Sequence, residues 1–379
     1  MCGITGAFAF TEKGKKYLDK IDDAVKTLKH RGPDGHGSFR DGNVALGHTR
    51  LAIIDTSTAA AQPFTSTDGR YTIVFNGEIF NYRELRKELE KDGVKFRSQS
   101  DTEVLLSLYA KEKEACLAKL NGFFAFVVYD KTTGTIFMAR DRYGEKPLLY
   151  YFDTDVLIFG SEMKAILAFG IPKSISLNVV ADYLHLNYAP QYLDAIIEQT
   201  YYHKKGVYTI VDNKDTSYAN SKRWYGLPKE PENYLVPSYE EATKKLRSLL
   251  DNAVQLRLIS DVPLGTFLSG GLDSSIITAL AAKHKQKIDT FSIGFADEKY
   301  FDETEYAKQV SKHLKTNHHV FSLSNKDLLE SLNSFFENLD DPFADSSALA
   351  VNILARETRK HVTVALSGDG ADELFAGYN

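Results

Sequence analysis

Cysteine is almost missing from this chain of 379 residues, which has two, Cys2 and Cys116. Two cannot build a disulfide framework or a cysteine-rich zinc site, and such sparing use fits a reducing compartment. No apolar run approaches the roughly 20 residues of a membrane span. The apolar N-terminus lacks a basic stretch ahead of it, so it is not a secretory signal. A positive charge excess is missing as well: 46 Lys and Arg stand against 51 Asp and Glu, a formal net charge of −5, which argues against broad nucleic-acid binding. Internal repeats and low-complexity tracts are absent. These absences leave a cytoplasmic protein as the expectation, bound neither to a membrane nor to nucleic acid. What is present is ordinary for a globular chain. At 43% hydrophobic and 26% charged it buries a core without cross-links, and its length favours two domains.

The first half reads as short β patterns at residues 4–10, 44–49, 71–76, 123–130, 135–140 and 156–161, punctuated by Gly, Asp and Asn. Helical spacing covers residues 15–29, 81–91 and 102–109, the last behind Ser100-Asp101 as an N-cap. Cys116 lies in a helical stretch, 110–120, as a small buried hydrophobe. This predicts a layered α+β domain over 1–190 on antiparallel sheets. Residues 191–237 are Tyr-rich and end in Leu227-Pro228-Lys229-Glu230-Pro231, which predicts a connector with local strands such as 207–211. From 238 to 379 apolar strands alternate with helices, beginning with a helix at 239–257. Strands at 263–268, 288–293, 318–321 and 362–366 predict an α/β domain with a parallel sheet covered by helices.

Two places carry chemistry. Cys2 lies directly behind the initiator in Met1-Cys2-Gly3-Ile4-Thr5-Gly6. If Met1 is removed, one residue carries both a thiol and an α-amine, which titrate near ~8.5 and ~7.7–8.0. The amine then accepts the thiol proton, so nucleophile and base coincide. The plain alternative is a small residue that merely precedes a packed strand. The second place is the first strand-to-helix turn of the α/β half, Leu268-Ser269-Gly270-Gly271-Leu272-Asp273-Ser274-Ser275. Its glycines let backbone N–H groups face an anion, and the helix N-terminus and three serines add donors. Asp273 would repel naked phosphate, but suits Mg²⁺ held between carboxylate and phosphate. No Gly-Lys-Ser/Thr follows, so this is not a Walker loop; the alternative is a glycine turn with a serine-capped helix. A second loop, Ser367-Gly368-Asp369-Gly370-Ala371-Asp372-Glu373, follows the last strand and reads either as the other jaw of a nucleotide site or as an acidic helix start.

Taken together, these residues resemble the glutamine-dependent asparagine synthetases, in which a class II glutamine amidotransferase domain is joined to an ATP-pyrophosphatase domain. The landmarks in order are Met1-Cys2-Gly3-Ile4, His30-Arg31-Gly32-Pro33-Asp34-Gly35, Arg50-Leu51-Ala52-Ile53-Ile54-Asp55, Phe75-Asn76-Gly77-Glu78, Ser100-Asp101-Thr102-Glu103, Arg140-Asp141-Arg142-Tyr143-Gly144 and the two loops above. The resemblance implies an N-terminal nucleophile fold over 1–190, a connector over 191–237, and an adenine nucleotide alpha hydrolase-like domain over 238–379. It makes Cys2 the nucleophile on the glutamine carboxamide, and Asn76 with the Gly77 N–H the oxyanion hole. Arg50 would clamp the glutamine carboxylate, Glu78 and Asp101 its ammonium, and the backbone of Leu51, Ala52, Ile53 and Ile54 would line the pocket. Alone, Arg50 and Asp101 would read as surface ion-pair residues. The turn at 30–35 would be mobile. In the second domain Ser269, Gly270, Gly271, Asp273, Ser274 and Ser275 would hold pyrophosphate. Leu268, Ile293, Ser367 and Gly368 would contact the adenosine part of ATP, and Asp273 and Asp372 would hold Mg²⁺. Aspartate would attack ATP to give β-aspartyl-AMP, and ammonia carried inside the protein from Cys2 would convert it to asparagine.

The chain departs from that pattern in three ways. Asp369 stands where the family's loop has Glu, as the residue associated with adenylation. Tyr201-Tyr202-His203-Lys204-Lys205-Gly206 replaces a Pro-Gly turn. Relatives also continue beyond Asn379, so the chain is expected to be C-terminally truncated, with glutamine hydrolysis better kept than synthesis. Oligomeric state is left open, a homodimer included. The alternative activity is an amidotransferase on another carboxylate, a sugar acid or a peptide. A noncatalytic metabolite-binding regulator is disfavoured by intact Cys2, Asn76, Asp101, Asp273 and Asp372.

Overall fold

The computed structural model describes residues 1–189, 194–212, 220–227 and 238–377. Two compact units emerge. The first is Met1–Glu230 with Asp340–Ala344, and the second is Pro231–Leu339 with Asp345–Asn379.

The strands of the first unit are β1 (Gly3–Ala9), β2 (Gly35–Asp41), β3 (Val44–Arg50), β4 (Phe64–Thr65), β5 (Tyr71–Ile79), β6 (Gly122–Asp130), β7 (Thr135–Arg140), β8 (Leu149–Phe152), β9 (Val156–Gly160), β10 (Thr200–Tyr202), β11 (Val207–Val211) and β12 (Ser221–Arg223). They pair into two antiparallel sheets, ordered β10-β8-β9-β1-β3-β2 and β12-β11-β7-β6-β5-β4. Strand alternation sorts the side chains of β1. Ile4 and Phe8 join Val74, Val127 and Met138 of the second sheet in one core. Ala7 and Ala9 join Tyr17, Leu18, Ile21 and Ile166 from the helical segments that cover the first sheet's other face. The second sheet's outer face takes the helix Asp101–Glu112, whose Tyr109 ring meets Tyr71 and Phe137 at 5.9 and 4.8 Å. The result is the layered α+β sandwich expected from the strand patterns.

The tract expected to connect the domains contributes to these sheets. β10 pairs with β8, and β11 with β7. Val207, Tyr208 and Val211 are buried there, and the strand expected at 207–211 forms. Pro228 and Pro231 lie outside the described residues. β2 went unread because it alternates between half-buried and exposed positions and is rich in glycine and polar residues.

In the second unit β13 (Leu264–Phe267), β14 (Asp289–Phe295), β15 (Asn317–Leu323) and β16 (Val364–Leu366) form a parallel sheet in the order β15-β14-β13-β16. The helices Leu272–His284 and Thr304–Leu314 follow β13 and β14. Ser238 and Ser324 close the first turns of the helices Tyr239–Arg257 and Asn325–Asn338 as capping boxes with Glu241 and Asp327. Strand order reverses between β13 and β16, and in open α/β sheets ligands bind at the carboxyl ends of strands flanking that reversal. Among the described residues no helix is long and apolar enough to cross a membrane.

Candidate active site

Cys2 stands one residue ahead of β1, and the chain there is held from several sides. A Cβ on Gly3 would lie 2.7 Å from Thr49 Oγ1 and 2.9 Å from Leu28 Cβ, so only glycine lets this segment press against β3. The Arg31 Nε–H donates to the Cys2 carbonyl at 2.9 Å, and Nη1 donates to Glu162 Oε1 at 2.8 Å. His30 Nε2 lies 2.9 Å from Glu162 Oε2. Burial pushes the Glu162 carboxyl up, but Arg31 and His30 outweigh it and hold the group below its usual range. The turn at residues 30–35, expected to be mobile, is therefore pinned by a half-buried charge cluster.

The Leu51 N–H donates to Cys2 Sγ at 3.4 Å, and the thiol lies 3.6 Å from the Leu51 carbonyl as its acceptor. Burial pushes the Cys2 thiol above its usual range, with Asp101 adding to the rise. The Leu51 bond, the terminal amine and Arg50 only partly offset it. At neutral pH the sulfur is thus a thiol, and its use as a nucleophile needs a base. The Met1 amine beside it is lowered to about 6, mainly by burial. Cys116 is fully buried and its thiol is pushed up to about 12.

Across the cavity β5 presents Asn76, Gly77 and Glu78. Asn76 is 1% exposed, and among the described residues neither its Oδ1 nor its Nδ2 meets a hydrogen-bond partner. An unmatched buried polar group costs ~1–3 kcal/mol, so an amide left so at both ends calls for a partner that the protein does not supply. A Cβ on Gly77 would fall 2.2 Å from the Phe123 carbonyl oxygen and 2.8 Å from Phe124 Cα. Only glycine lets β5 and β6 approach this closely.

These groups surround a cavity of about 520 Å³, its mouth included, lined by Met1, Cys2, Arg50, Leu51, Ile53, Ile54, Asn76, Gly77, Glu78 and Asp101. Ala52 is not among the lining residues: its N–H is taken by Asp34 Oδ2 at 2.9 Å. Gln62, Ser100, Phe123 and Lys146 line the cavity too, and sequence reading missed them. For Lys146 the signal is the Arg-Asp motif at 140–144, two residues ahead of it.

Opposite charges stand in this one cavity. Arg50 donates from Nη1 to the Ser57 carbonyl at 2.6 Å and from Nη2 to the Asp55 carbonyl. The loop that follows β3 thus wraps two of the five guanidinium donors and aims the rest. Asp101 is 5% exposed. Its Oδ2 accepts the Ile79 N–H at 3.0 Å and its Oδ1 the Ser100 hydroxyl at 3.3 Å. Burial wins over these bonds and pushes the carboxyl up to about 6. A cation beside Asp101 and an anion beside Arg50 would each be stabilised, with the thiol in the same cavity. That is a site for a zwitterion with an electrophilic carbon.

In the second unit the loops after β13 and β16 meet at the reversal of strand order. A Cβ on Gly368 would lie 3.0 Å from the Ser274 nitrogen and 3.1 Å from Asp273 Cβ, so the two loops touch there. Gly270 has φ +91°, and a Cβ would fall 2.6 Å from the Ala307 nitrogen. The Gly271 N–H donates to Ser269 Oγ at 3.2 Å, while the Ser269 and Ser274 hydroxyls lie 2.9 Å apart. Ser275 Oγ is buried without a partner among the described residues. Ser367 donates to Asp369 Oδ2 at 2.8 Å, and Asp369 is exposed. Asp372 packs against Gly377, where a Cβ would lie 1.9 Å from its Oδ1. Ile293 is half-buried on β14. Leu268 is 1% exposed and its N–H donates to the Phe291 carbonyl at 2.9 Å, so the structure puts its side chain in the core instead of the loop surface. Among the described residues no three His, Cys, Asp or Glu side chains gather as a metal cage. Mg²⁺ does not need one, since one or two carboxylates and substrate phosphates suffice. Asp273 beside Gly368, with Asp372 four residues further on, fits that donor set.

Residues 1–225 match the family model described as a glutamine amidotransferase domain, and residues 245–379 the one described as asparagine synthase. Glutamine-hydrolyzing asparagine synthetase 1 of Bacillus subtilis (strain 168) is 36% identical over 388 residues, which take in 100% of this chain and 59% of the relative. A Methanocaldococcus jannaschii protein, provisionally named glutamine-hydrolyzing asparagine synthetase 2, is 37% identical over 402 residues, with 100% and 76% covered. The chain thus spans about three fifths of the first relative and about three quarters of the second. A solved glutamine phosphoribosylpyrophosphate amidotransferase of B. subtilis aligns at 20% identity and a TM-score of 0.44, over 76% of this chain and 65% of that one, too loosely to carry an argument.

Proposed function

The chain belongs to the family of glutamine-hydrolysing asparagine synthetases, and from that premise we propose that its first unit releases ammonia from L-glutamine at Cys2. The second unit would use that ammonia in the ATP-dependent amidation of L-aspartate. The observation that carries the reading is the buried, unpartnered Asn76 amide in one cavity with Cys2, Arg50 and Asp101.

With Met1 removed, the α-amine of Cys2 takes the thiol proton as sulfur attacks the carboxamide carbon. Asn76 Nδ2 and the Gly77 N–H bond the oxygen as it gains charge; donors of this kind contribute ~2.7–4 kcal/mol each. The amine then passes its proton to the departing nitrogen as the C–N bond breaks, and ammonia leaves. Water attacks the thioester and frees glutamate. Arg50 holds the substrate carboxylate, which a planar fork suits. Asp101 and Glu78 hold the ammonium, and a bound cation would draw Asp101 into its ionised form.

In the second unit Ser269, Gly270, Gly271, Ser274 and Ser275 would bind the ATP phosphates. Asp273 and Asp372 would hold Mg²⁺, which when bound offsets charge on the departing pyrophosphate. Attack by the aspartate side chain on the α-phosphate gives β-aspartyl-AMP, which ammonia converts to asparagine and AMP. Both thiols are unbridged, in keeping with the cytoplasm as the site of reaction.

The test is to incubate protein verified by mass to begin at Cys2 with amide-labelled glutamine, aspartate, ATP and Mg²⁺. Glutamate release, and AMP with labelled asparagine, are measured separately. Glutamate release lost in Cys2→Ala supports the first half; a wild-type protein that releases none refutes it. AMP formed only with aspartate supports the second half, and AMP independent of aspartate refutes that acceptor.

A further inference from the structure

The motif Arg140-Asp141-Arg142-Tyr143-Gly144 takes no part in the chemistry above, yet it builds one rigid object. Asp141 is fully buried. Its Oδ1 accepts the backbone N–H groups of Tyr143, Gly144 and Glu145 at 3.0, 2.6 and 3.0 Å. Its Oδ2 accepts those of Phe124 and Lys146 at 3.2 and 3.0 Å. Arg140, also buried, donates to the carbonyls of Lys146, His203 and Gly144 at 2.8, 2.8 and 2.7 Å. Both backbone polar groups of Lys146 are therefore fixed, its N–H by Asp141 and its carbonyl by Arg140.

The side chain delivered this way enters the cavity of Cys2. Lys146 is 9% exposed, and its Nζ stands 3.8 Å over the centre of the Phe123 ring and 3.0 Å from Met1 Sδ. A buried ammonium is costly, and lysine is among the residues least often buried. Eight hydrogen bonds to two buried charged side chains hold the loop that puts it there.

We propose that Lys146 is a positioning residue for glutamine hydrolysis: the loop after β7 holds its ammonium inside the cavity of the Cys2 thiol and against the N-terminal residue, where it acts on the amine beside the sulfur. The inference rests on the function proposed above. The groups acting electrostatically on that amine are the Cys2 thiol, Arg31, Lys146 and Glu78; Lys146 Nζ lies 3.0 Å from Met1 Sδ, and Arg31 Nε 2.9 Å from the Cys2 carbonyl. Burial is the largest influence lowering it. Arg31 and Lys146 lower it further, while Cys2 and Glu78 pull the other way. Removing Met1 transfers the amine to Cys2, whose carbonyl already bonds Arg31, and takes the Met1 sulfur away from Lys146. Burial lowers the lysine from its own usual range, and Glu78 offsets part of this. An amine kept neutral by the two cations can take the thiol proton near pH 7. One left to protonate cannot.

The experiment compares wild type, Lys146→Met and Lys146→Arg, each confirmed by mass to begin at Cys2, for glutamate release between pH 5.5 and 9. Losing one neighbouring charge moves a pKa by roughly 1 unit. The acid limb of kcat/KM in Lys146→Met should move up by that amount, with rates converging at pH 9, and Lys146→Arg should keep the wild-type limb. An unchanged limb, or a loss by the same factor at every pH, overturns the proposal. If Lys146→Met is insoluble, Lys146→Gln is read by the same limb with the same outcomes. Wild type starting at Cys2 that releases no glutamate overturns the proposed function itself, a result distinct from an unshifted limb.

Discussion

Asp101 is held in a form that costs the fold stability, and Asp101→Asn tests this directly. Its carboxyl moves from 3.8 to about 6 on folding, chiefly through burial. The native state therefore binds a proton more tightly than the unfolded chain. Stability from this group is fully present below the unfolded value and is lost as pH rises through the folded value. Above pH 6 the penalty is complete: two units at 1.36 kcal/mol each is ~3 kcal/mol. Asparagine abolishes it. Its oxygen can still accept the Ile79 N–H, but its nitrogen cannot accept the Ser100 hydroxyl, and the first helical turn loses a negative charge. Together those losses are ~1–2 kcal/mol. The variant should therefore be ~1–2 kcal/mol more stable than wild type at pH 8, and ~1 kcal/mol less stable at pH 4, where the carboxyl is already protonated and only the hydrogen bond is lost. Thermal melting of the first unit reads this as a rise of ~2–4 °C per kcal/mol at the higher pH. The same variant should lose glutamine binding, with KM raised at least tenfold, whereas wild-type KM should rise only as pH falls below about 6. Equal destabilisation at pH 4 and pH 8 would refute the burial argument, and an unchanged KM would refute the role assigned to the carboxylate.

Asn76→Ala should lower kcat for glutamate release by ~10²–10³ with little change in KM. Because the wild-type amide has no partner, the melting temperature should hold or rise, and a marked fall would show an unseen structural bond. Gly77→Ala sets a Cβ 2.2 Å from a backbone oxygen that cannot rotate away, so it should lower the melting temperature of the first unit and abolish glutamate release. Wild-type melting and activity in that variant would contradict the close approach of β5 and β6. Gly368→Ala places a methyl 3.0 Å from the Ser274 nitrogen and should weaken ATP binding by about tenfold in a titration, at ~1.4 kcal/mol per decade, while glutamate release is untouched. Equal ATP affinity in wild type and variant would separate the two loops.

What the sequence made legible are positions where one residue type carries the chemistry by itself. Cys2 behind Met1 and the Asn76-Gly77 pair come together in one cavity, and the turn at 269–275 follows a strand of the parallel sheet, as their local patterns suggest. The parallel sheet was legible for the same reason, since its apolar strands alternate with capped helices. Positions whose role is a sum over distant segments were not. Arg31 bonds a carbonyl 29 residues away and Lys146 meets a side chain 145 residues away. Ala52 was placed in the pocket because its neighbours are, but its N–H serves Asp34. β10 and β12 are short and weakly patterned, and only pairing with β8 and β11 makes them strands, whereas the strand at 207–211 was legible. The charge state of the amine is the extreme case. Burial, the thiol, Arg31, Lys146 and Glu78 all act on it, and these residues come from the N-terminus, the turn after the first helix, β5 and the loop after β7. No local window contains more than two of them. A motif therefore proposes the nucleophile, whereas the fold sets the charge state of the amine beside it.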